Sequence, residues 1–387
     1  MTEHTAILFA TPWTHPAEGW AIASRAYARA MKMGGLDVAL HDWQRSNFNV
    51  DPEVQAEVAE FVDKQPAKIS LHIFSSNLAS AALMGVLDVM TKNPEPQAFY
   101  CVFERRYIEP ELVNKLNRLA GVWVQCRMNE RVLREAGVDN VTLIPYPFFD
   151  DDPHLELDKP TREPRHFYYI GRFEPRKAPD NIIRAFLRAF SPGEAELTLK
   201  VSPIPHITPY VTPWSTVDEE LEGNKKGWTN ENVWESIEVI EGMLSKEEML
   251  ELHDRGDVYV SASRGEGLEL GAWAAKLAGR RLIVTASGGP EDFLQRQLDA
   301  YGNRDLCPDV DIVVPAKRLI PADACYPWGE GANYIDYDLD DLIAAMQKAR
   351  SEPVCGTRIW PGWEKHRAPR VAEALRDWVG TIVGSAS

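Results

Sequence analysis

The chain has 387 residues, of which 44% are hydrophobic and 26% charged; this excludes a largely disordered protein and suits two α/β domains of ordinary size. Its formal charge of −16 counts against a protein that coats DNA or an anionic membrane, since both need a basic surface. No apolar run reaches bilayer-spanning length and the opening "MTEHTAILFATPW" has no basic n-region, so the expectation is a cytoplasmic protein without signal peptide or anchor.

Strands and helices alternate from the outset. "TAILFA", "LDVALHD", "KISLHIF", "AFYCVF", "GVWVQC" and "VTLIP" read as strands, with amphipathic helices over 18–33, 52–64, 77–91, 109–119 and 128–136 between them. Such alternation predicts a parallel sheet wrapped on both faces, here over residues 1–150. In "PYPFFDDDPHLELDKPTREPR" (145–165) prolines and acids crowd together without apolar periodicity, which predicts a linker at 151–165.

A second alternating series follows: "HFYYIGRF", a helix from 179, "ELTLKVS", "IEVIEGM", a helix from 246, "DVYVSAS", a helix from 267, "RLIVTAS", a helix from 290, and "DIVVPAK". It predicts a second doubly wound sheet, in a lobe over 166–358 that ends with a helical stretch near 338–350. Between its strands, 205–234 reads as a long, turn-rich loop carrying Trp214, Trp228 and Trp234, and loops of that length are usually functional or mobile. An aromatic, basic segment, 359–387, closes the chain. The five cysteines are scattered and odd in number, so they are expected reduced and mostly buried, with no metal site.

Open sheets of this kind bind ligands beyond the carboxyl ends of their strands. At one such end "SRGEGLEL" places Glu266 between Gly265 and Gly267, where a helix N-terminus ordinarily receives an anion. A carboxylate repels bare phosphate, so the pattern fits a ligand with a phosphate part for the amides and a hydroxyl-rich part for Glu266: a nucleotide sugar. The competing reading is an acid that offsets the helix dipole, although glycine on both sides implies close backbone approach. At the preceding strand end, in "YYIGRFEPRKAPDNIIRAF", Gly171 is followed by Arg172 and Lys177, which are either solvated loop cations or partners of a diphosphate. Gly288, Gly289 and Glu291 in "TASGGPEDFL" fit an ordinary helix start as well as a ligand.

"IGRFEPRKAPDNIIRAF" and "IEVIEGMLSKEEMLELHDRGDVYVSASRGEGLELGAWAAKLAGRRLIVTASGGPEDFL" resemble the C-terminal lobe of the retaining, nucleotide-sugar-dependent glycosyltransferases of the GT-B fold, the large group that includes sucrose-phosphate synthases and bacterial mannosyltransferases. The likeness covers roughly half of the chain closely; "EGWAIASRAYARAM", "LHIFSSN" and "GVWVQCRMNERVLREAGVDNVTLIPYPF" match the N-terminal lobe more loosely. It implies two doubly wound, Rossmann-like lobes facing each other across a cleft, acceptor side first and donor side second, and a C-terminal helical segment, around 360–378, crossing back to the first lobe.

Carried over by position, Arg172 and Lys177 would hold the diphosphate and Glu266 the donor sugar's hydroxyls, these three being the expected catalytic residues. The amides of Gly267, Leu268 and Glu269 would face sugar and phosphate, and Gly19, Gly171, Ser263 and Leu270 would line the same site. His72 and Glu104 would contact the acceptor or the reacting sugar; the alternatives are a satisfied core histidine and an ion pair with Arg105 or Arg106. The family commonly has a second glutamate, thought to hold the ribose, where this chain has Ala274.

The implied activity is metal-independent, retaining transfer of a hexose or pentose from a nucleotide-diphosphate donor to an acceptor hydroxyl of a glycan, a lipid-linked sugar or a small molecule, with no cofactor beyond the donor itself. Two alternatives stand beside it. Ala274 motivates a sugar-nucleotide-binding relative without turnover. The other is an enzyme of the same fold acting on modified nucleic-acid bases, which the net charge disfavours.

Overall fold

The computed structural model describes the chain apart from residues 1–4, 16–17, 44–49, 63, 65, 67, 159–162, 203–211, 224–225, 295–310, 322–332, 353–362 and 387. By internal contacts it divides into two compact units, Met1–Asp150 with Pro361–Ser387, and Asp151–Trp360. The expected domain boundary at 358 lies outside the described residues. Among those described, no helix is long and apolar enough to cross a membrane. Cys101 and Cys126 are buried and not in a disulfide.

The first unit runs β1 (Ala6–Ala10), α1 (Gly19–Met33), β2 (Asp37–His41), α2 (Pro52–Val62), β3 (Leu71–Asn77), α3 (Leu78–Leu83), α4 (Val86–Met90), β4 (Gln97–Val102), α5 (Pro110–Leu116), β5 (Gly121–Val124), α6 (Arg127–Glu135) and β6 (Val141–Leu143). The strands form one sheet in the order β2-β1-β3-β4-β5-β6, and all pairs are parallel. Such a sheet is covered on both faces, so β4 and β5 are buried at every residue and read as unbroken apolar runs. The helix expected over 77–91 is two short ones. Gly85, with φ of 66°, caps the second from the left-handed region, which glycine enters at no steric cost.

The second unit runs β7 (His166–Arg172), α7 (Pro179–Ala189), β8 (Glu196–Ser202), α8 (Pro213–Glu222), α9 (Asn230–Ser236), β9 (Ile237–Glu241), α10 (Lys246–Arg255), β10 (Val258–Ser261), α11 (Leu270–Leu277), β11 (Arg281–Thr285), β12 (Ile312–Val314), β13 (Arg318–Pro321), β14 (Asn333–Asp336) and α12 (Leu339–Ser351). Its parallel sheet has the order β12-β11-β10-β7-β8-β9, and β13 and β14 form a separate antiparallel pair. The chain leaves β7 towards β8 and β9, then returns to lay β10 on its other side. That reversal between β7 and β10 is the switch point at which open sheets form their ligand crevice.

Part of the expected loop at 205–234 is helical. Thr212 and Thr229 cap α8 and α9 in reciprocal boxes with Ser215 and Asn232, the third-position partners being Ser and Asn rather than the usual Glu or Gln. Trp228, between them, is buried and donates its indole N–H to the carbonyls of Leu187 and Phe190 at 3.0 and 3.1 Å. The helix expected from 290 is a single 3-10 turn, Gly289–Asp292, and residues 295–310 lie outside the described part.

After the second unit, α13 (Ala368–Ala386) joins the first and packs on α1. A Cβ on Gly34 would lie 2.7 Å from the Ala372 carbonyl, and one on Gly121 would lie 2.8 Å from Ile382 Cδ1, so glycine at both positions lets the helix seat closely.

Candidate functional site

At the switch point two loops meet, one after β7 and one after β10. In the first, Gly171 and Arg172 end the strand, and Arg172 is exposed. The chain then turns through Pro175 and Arg176 to Ala178, the N-cap of α7, whose φ of 47° lies in the left-handed region. In the second, the helix expected from 267 begins only at Leu270. Glu266 pairs with Gly288 in an isolated parallel bridge: its N–H donates to the Ser287 carbonyl at 3.2 Å, and the Gly289 N–H donates to the Glu266 carbonyl at 2.9 Å. This extended stretch postpones the helix. It also accounts for one glycine of the pair, since a Cβ on Gly289 would sit 2.3 Å from the Gly267 carbonyl oxygen.

Glu266 is 4% exposed. Its Oε1 receives Ser263 Oγ at 2.6 Å, Lys177 Nζ at 2.7 Å and Arg176 Nη1 at 3.1 Å. Arg176 also donates to the Gly265 carbonyl at 2.5 Å and to Glu174 at 2.8 Å, and the Arg264 N–H donates to the Arg176 carbonyl at 2.8 Å. The two loops are thus joined by a buried ionic network. Burial pushes the Glu266 carboxyl up, but Lys177 and Arg176 outweigh it and hold the group below the usual carboxylate range. Glu266 is therefore an anion, and it does not cap the helix: the cap is Glu269.

Glu269 behaves in the opposite way. Burial and the neighbouring charge of Glu266 push its carboxyl up to about 7. It takes φ of 70°, and with Ala178 it makes up the non-glycine residues at positive φ among those described; the two cap the helices that follow β7 and β10. Left-handed backbone costs a residue with a Cβ about 1–2 kcal/mol.

The structure brings Gly171, Arg172, Lys177, Ser263, Glu266, Gly267, Leu268, Glu269 and Leu270 together at the carboxyl ends of β7 and β10. Ala274 lies one turn into α11, half-buried. The other three expected residues are in the first unit. Gly19 is exposed and opens α1, after β1. Glu104 follows the carboxyl end of β4 and accepts from Asn77 Nδ2 at 2.8 Å, while Arg105 approaches Glu109 at 3.9 Å. His72 is placed differently from the expectation. The strand continues through Ser75, Ser76 and Asn77, so His72 is its second residue and lies about 16 Å along the strand from the ligand edge. There its imidazole meets Glu95, 2.5 Å away.

Arg176 and Glu174 escaped the sequence reading. Both sit in "FEPRKAP" between the two cations that were singled out, and nothing in periodicity distinguishes a buried arginine there from a solvated one.

No protein-family model matches the chain, and no curated protein sequence matches it. Solved structures do. The lipopolysaccharide outer core galactosyltransferase WaaB, in its apo form, superposes with a TM-score of 0.60 at 10% identity over 98% of this chain and 99% of its own. Anabaena HepE in complex with UDP and glucose gives 0.57 at 12% identity, over 99% and 98%. The fold is GT-B. The trehalose-6-phosphate synthase OtsA, at 0.56 and 11% identity over 98% of both chains, has the same architecture. In GT-B terms the β7–β10 switch point belongs to the second Rossmann-like unit, and Gly19 and Glu104 belong to the first.

Proposed function

We propose that the protein is a retaining glycosyltransferase that moves a sugar from a nucleotide-diphosphate donor to an acceptor hydroxyl without a metal ion. The observation that carries this reading is Glu266: a buried, ionised carboxylate at the switch point, with three donors on Oε1 and Lys177 and Arg176 at its side. A structural anion would be spent on those cations alone. One flanked by glycines at a strand edge offers its other oxygen to sugar hydroxyls. GT-B relatives with bound UDP and with UDP-glucose support the choice of donor class.

In this reading Arg172, exposed at the end of β7, and Lys177 meet the diphosphate, with the first amides of α11 beside them. As the glycosidic C–O bond breaks, negative charge collects on the departing diphosphate and positive charge on the sugar ring. Preorganised cations and amides stabilise the first as it develops. The acceptor oxygen forms its bond on the face the diphosphate leaves, and the acceptor's proton passes to a departing phosphate oxygen. Glu104 and its partner Asn77 are the acceptor-side candidates, half-buried at adjacent strand ends; His72 is not among them.

Calorimetry with UDP-glucose and with UDP, on wild type and Glu266→Gln, tests the central assignment. The expected result is a tenfold or greater loss for the sugar nucleotide and little change for UDP, because glutamine replaces an acceptor oxygen with a donor. Equal losses for both would remove Glu266 as the reader of the sugar. Ala274 favours a second reading, binding without turnover; slow hydrolysis of any bound donor rules that out.

A further inference from the structure

The loops after β7 and β10 hold three buried acids and three cations, of which Arg264 pairs outside the loops with Asp336, and the pairing of the rest is uneven. Glu174 takes Arg176 at 2.8 Å, and Glu266 takes Arg176 at 3.1 Å and Lys177 at 2.7 Å. Glu269, 6% exposed, has no cation at ion-pair distance among the described residues, and its Oε2 is buried without any hydrogen-bond partner. Its Oε1 lies 3.4 Å from the Tyr259 hydroxyl, whose single proton has a nearer acceptor in the Ile170 carbonyl at 3.1 Å. An ionised Glu269 would thus draw only on the Tyr259 and Ser261 hydroxyls, with Oε2 left without a partner among the described residues. A protonated Glu269 donates to the Tyr259 oxygen and completes a chain that ends on Ile170. The groups facing it are Tyr169 from β7, Lys177 from the loop after β7, Tyr259 and Ser261 from β10, and Glu266 from its own loop. Of these only Lys177 favours the ionised form by its charge, and Lys177 is the cation assigned above to the diphosphate.

We propose that Glu269 is a positioning residue of the anion site: its carboxyl must carry a proton for Lys177 and the first turn of α11 to receive a diphosphate, so that ligand binding draws a proton into the loop. The inference rests on the nucleotide-sugar reading. Two buried carboxylates three residues apart already compete for Lys177, and a diphosphate brings further negative charge to the same cation. Neutralising Glu269 removes the repulsion at its source. Its carboxyl, pushed up to about 7 before any ligand arrives, is poised to take that proton near neutral pH. The left-handed backbone at residue 269 fixes the carboxyl against Tyr259 beneath the first turn of α11 rather than in solvent.

The test is calorimetry of the full chain with UDP-glucose, GDP-mannose and ADP-glucose at pH 6 and pH 8, in buffers of unequal ionisation heat. The diphosphate diesters keep a constant charge over this range, so a pH effect belongs to the protein. The expected result is that the accepted donor binds about tenfold more weakly at pH 8, with net proton uptake, because the competent fraction has fallen by that factor. Glu269→Gln is permanently neutral and should bind equally at both pH values without uptake. Glu269→Gly, which suits the left-handed backbone, should do the same and serves if the glutamine variant does not fold. A wild-type affinity that is flat with pH and releases or takes up no proton overturns this inference and leaves the nucleotide-sugar reading standing. So does a pH dependence that survives in both variants. Failure of all three donors to bind wild type at either pH overturns the nucleotide-sugar reading, and this one with it.

Discussion

The two sheets present their ligand edges with different chemistry. In the first unit the carboxyl ends of β1 and β3 gather hydroxyls, an indole and an amide around two carboxylates, Asp42 and Glu104. Thr11 meets Ser24, Thr14 donates to Asp42 at 2.7 Å, Trp43 donates to the Ser75 carbonyl at 3.1 Å, and Asn77 donates to Glu104 at 2.8 Å. In the second, the ends of β7 and β10 gather ions, with Glu174, Arg176 and Glu266 all buried. The same parallel topology therefore does not dictate what an edge reads. The loops do: at the first edge the carboxylates Asp42 and Glu104 accept from the neutral donors Thr14 and Asn77, and at the second Glu174 and Glu266 pair with the cations Arg176 and Lys177.

The largest test of that contrast is deletion of one carboxylate at each edge. Glu266→Ala leaves Lys177 and Arg176 without their shared counter-ion and should cost about 3–5 kcal/mol in urea denaturation. Glu104→Ala removes a half-buried hydrogen bond and should cost about 1 kcal/mol. Equal costs would erase the distinction.

Next, the cations of the second edge should separate by burial. Arg172→Ala and Lys177→Ala should each lower transfer about a hundredfold, on the order of 3 kcal/mol of transition-state stabilisation. Arg172 is exposed, so its loss should leave the unfolding midpoint in place, whereas Arg176→Ala should lower both activity and stability. Steady-state kinetics alongside thermal melts decides this, and a large melting shift for Arg172→Ala would contradict the placement.

The pH dependence of stability should carry two opposite signatures from one loop. Glu269 has a raised folded pKa, about 7, so the folded state holds an extra proton between the unfolded value, about 4.3, and 7. Its contribution is greatest below that window, is lost as pH rises through it, and is flat above, for a total on the order of 3–4 kcal/mol. Glu266 has a lowered pKa, so its contribution is complete above the unfolded value and is lost as pH falls through the folded one. Unfolding free energies of wild type minus Glu269→Gln, measured from pH 5 to 8, should fall with pH; a flat difference contradicts the assignment.

Two smaller effects sharpen the comparison. Gly289→Ala pushes a methyl against the Gly267 carbonyl and should cost about 1–3 kcal/mol by denaturation, with loss of donor binding. Ser75→Ala, at the first edge, removes a buried hydroxyl that has no partner among the described residues and should be neutral or stabilising within about 1 kcal/mol. A cost well beyond that would mean the hydroxyl does have a structural partner.

Most of the twelve strands of the two parallel sheets were legible because strands buried on both faces are largely apolar runs, as in "GVWV". The elements that escaped have local causes. Capping boxes with Ser or Asn at the third position hid α8 and α9, the left-handed Gly85 split a helix, and polar "SSN" concealed the end of β3 and so misplaced His72. At the site, glycines on both sides drew attention to Glu266. The burial of Arg176 and the backbone strain at Glu269 arise only when two distant loops come together, and no window of sequence contains both.

The helix α13 belongs to a unit from which the whole of the second unit separates it in the chain. Trp378 closes edge-on against Trp123 of β5 at 5.9 Å between ring centroids, and the Ala368 N–H donates to the Phe148 carbonyl at 2.8 Å. During synthesis the second unit emerges as one uninterrupted stretch and has all its partners early. The first must wait, its sheet made but the surface around Trp123 unsheltered, until the residues that seal it leave the ribosome. The closing contacts, which join residues more than two hundred positions apart, are the least local in the unit and the slowest to form.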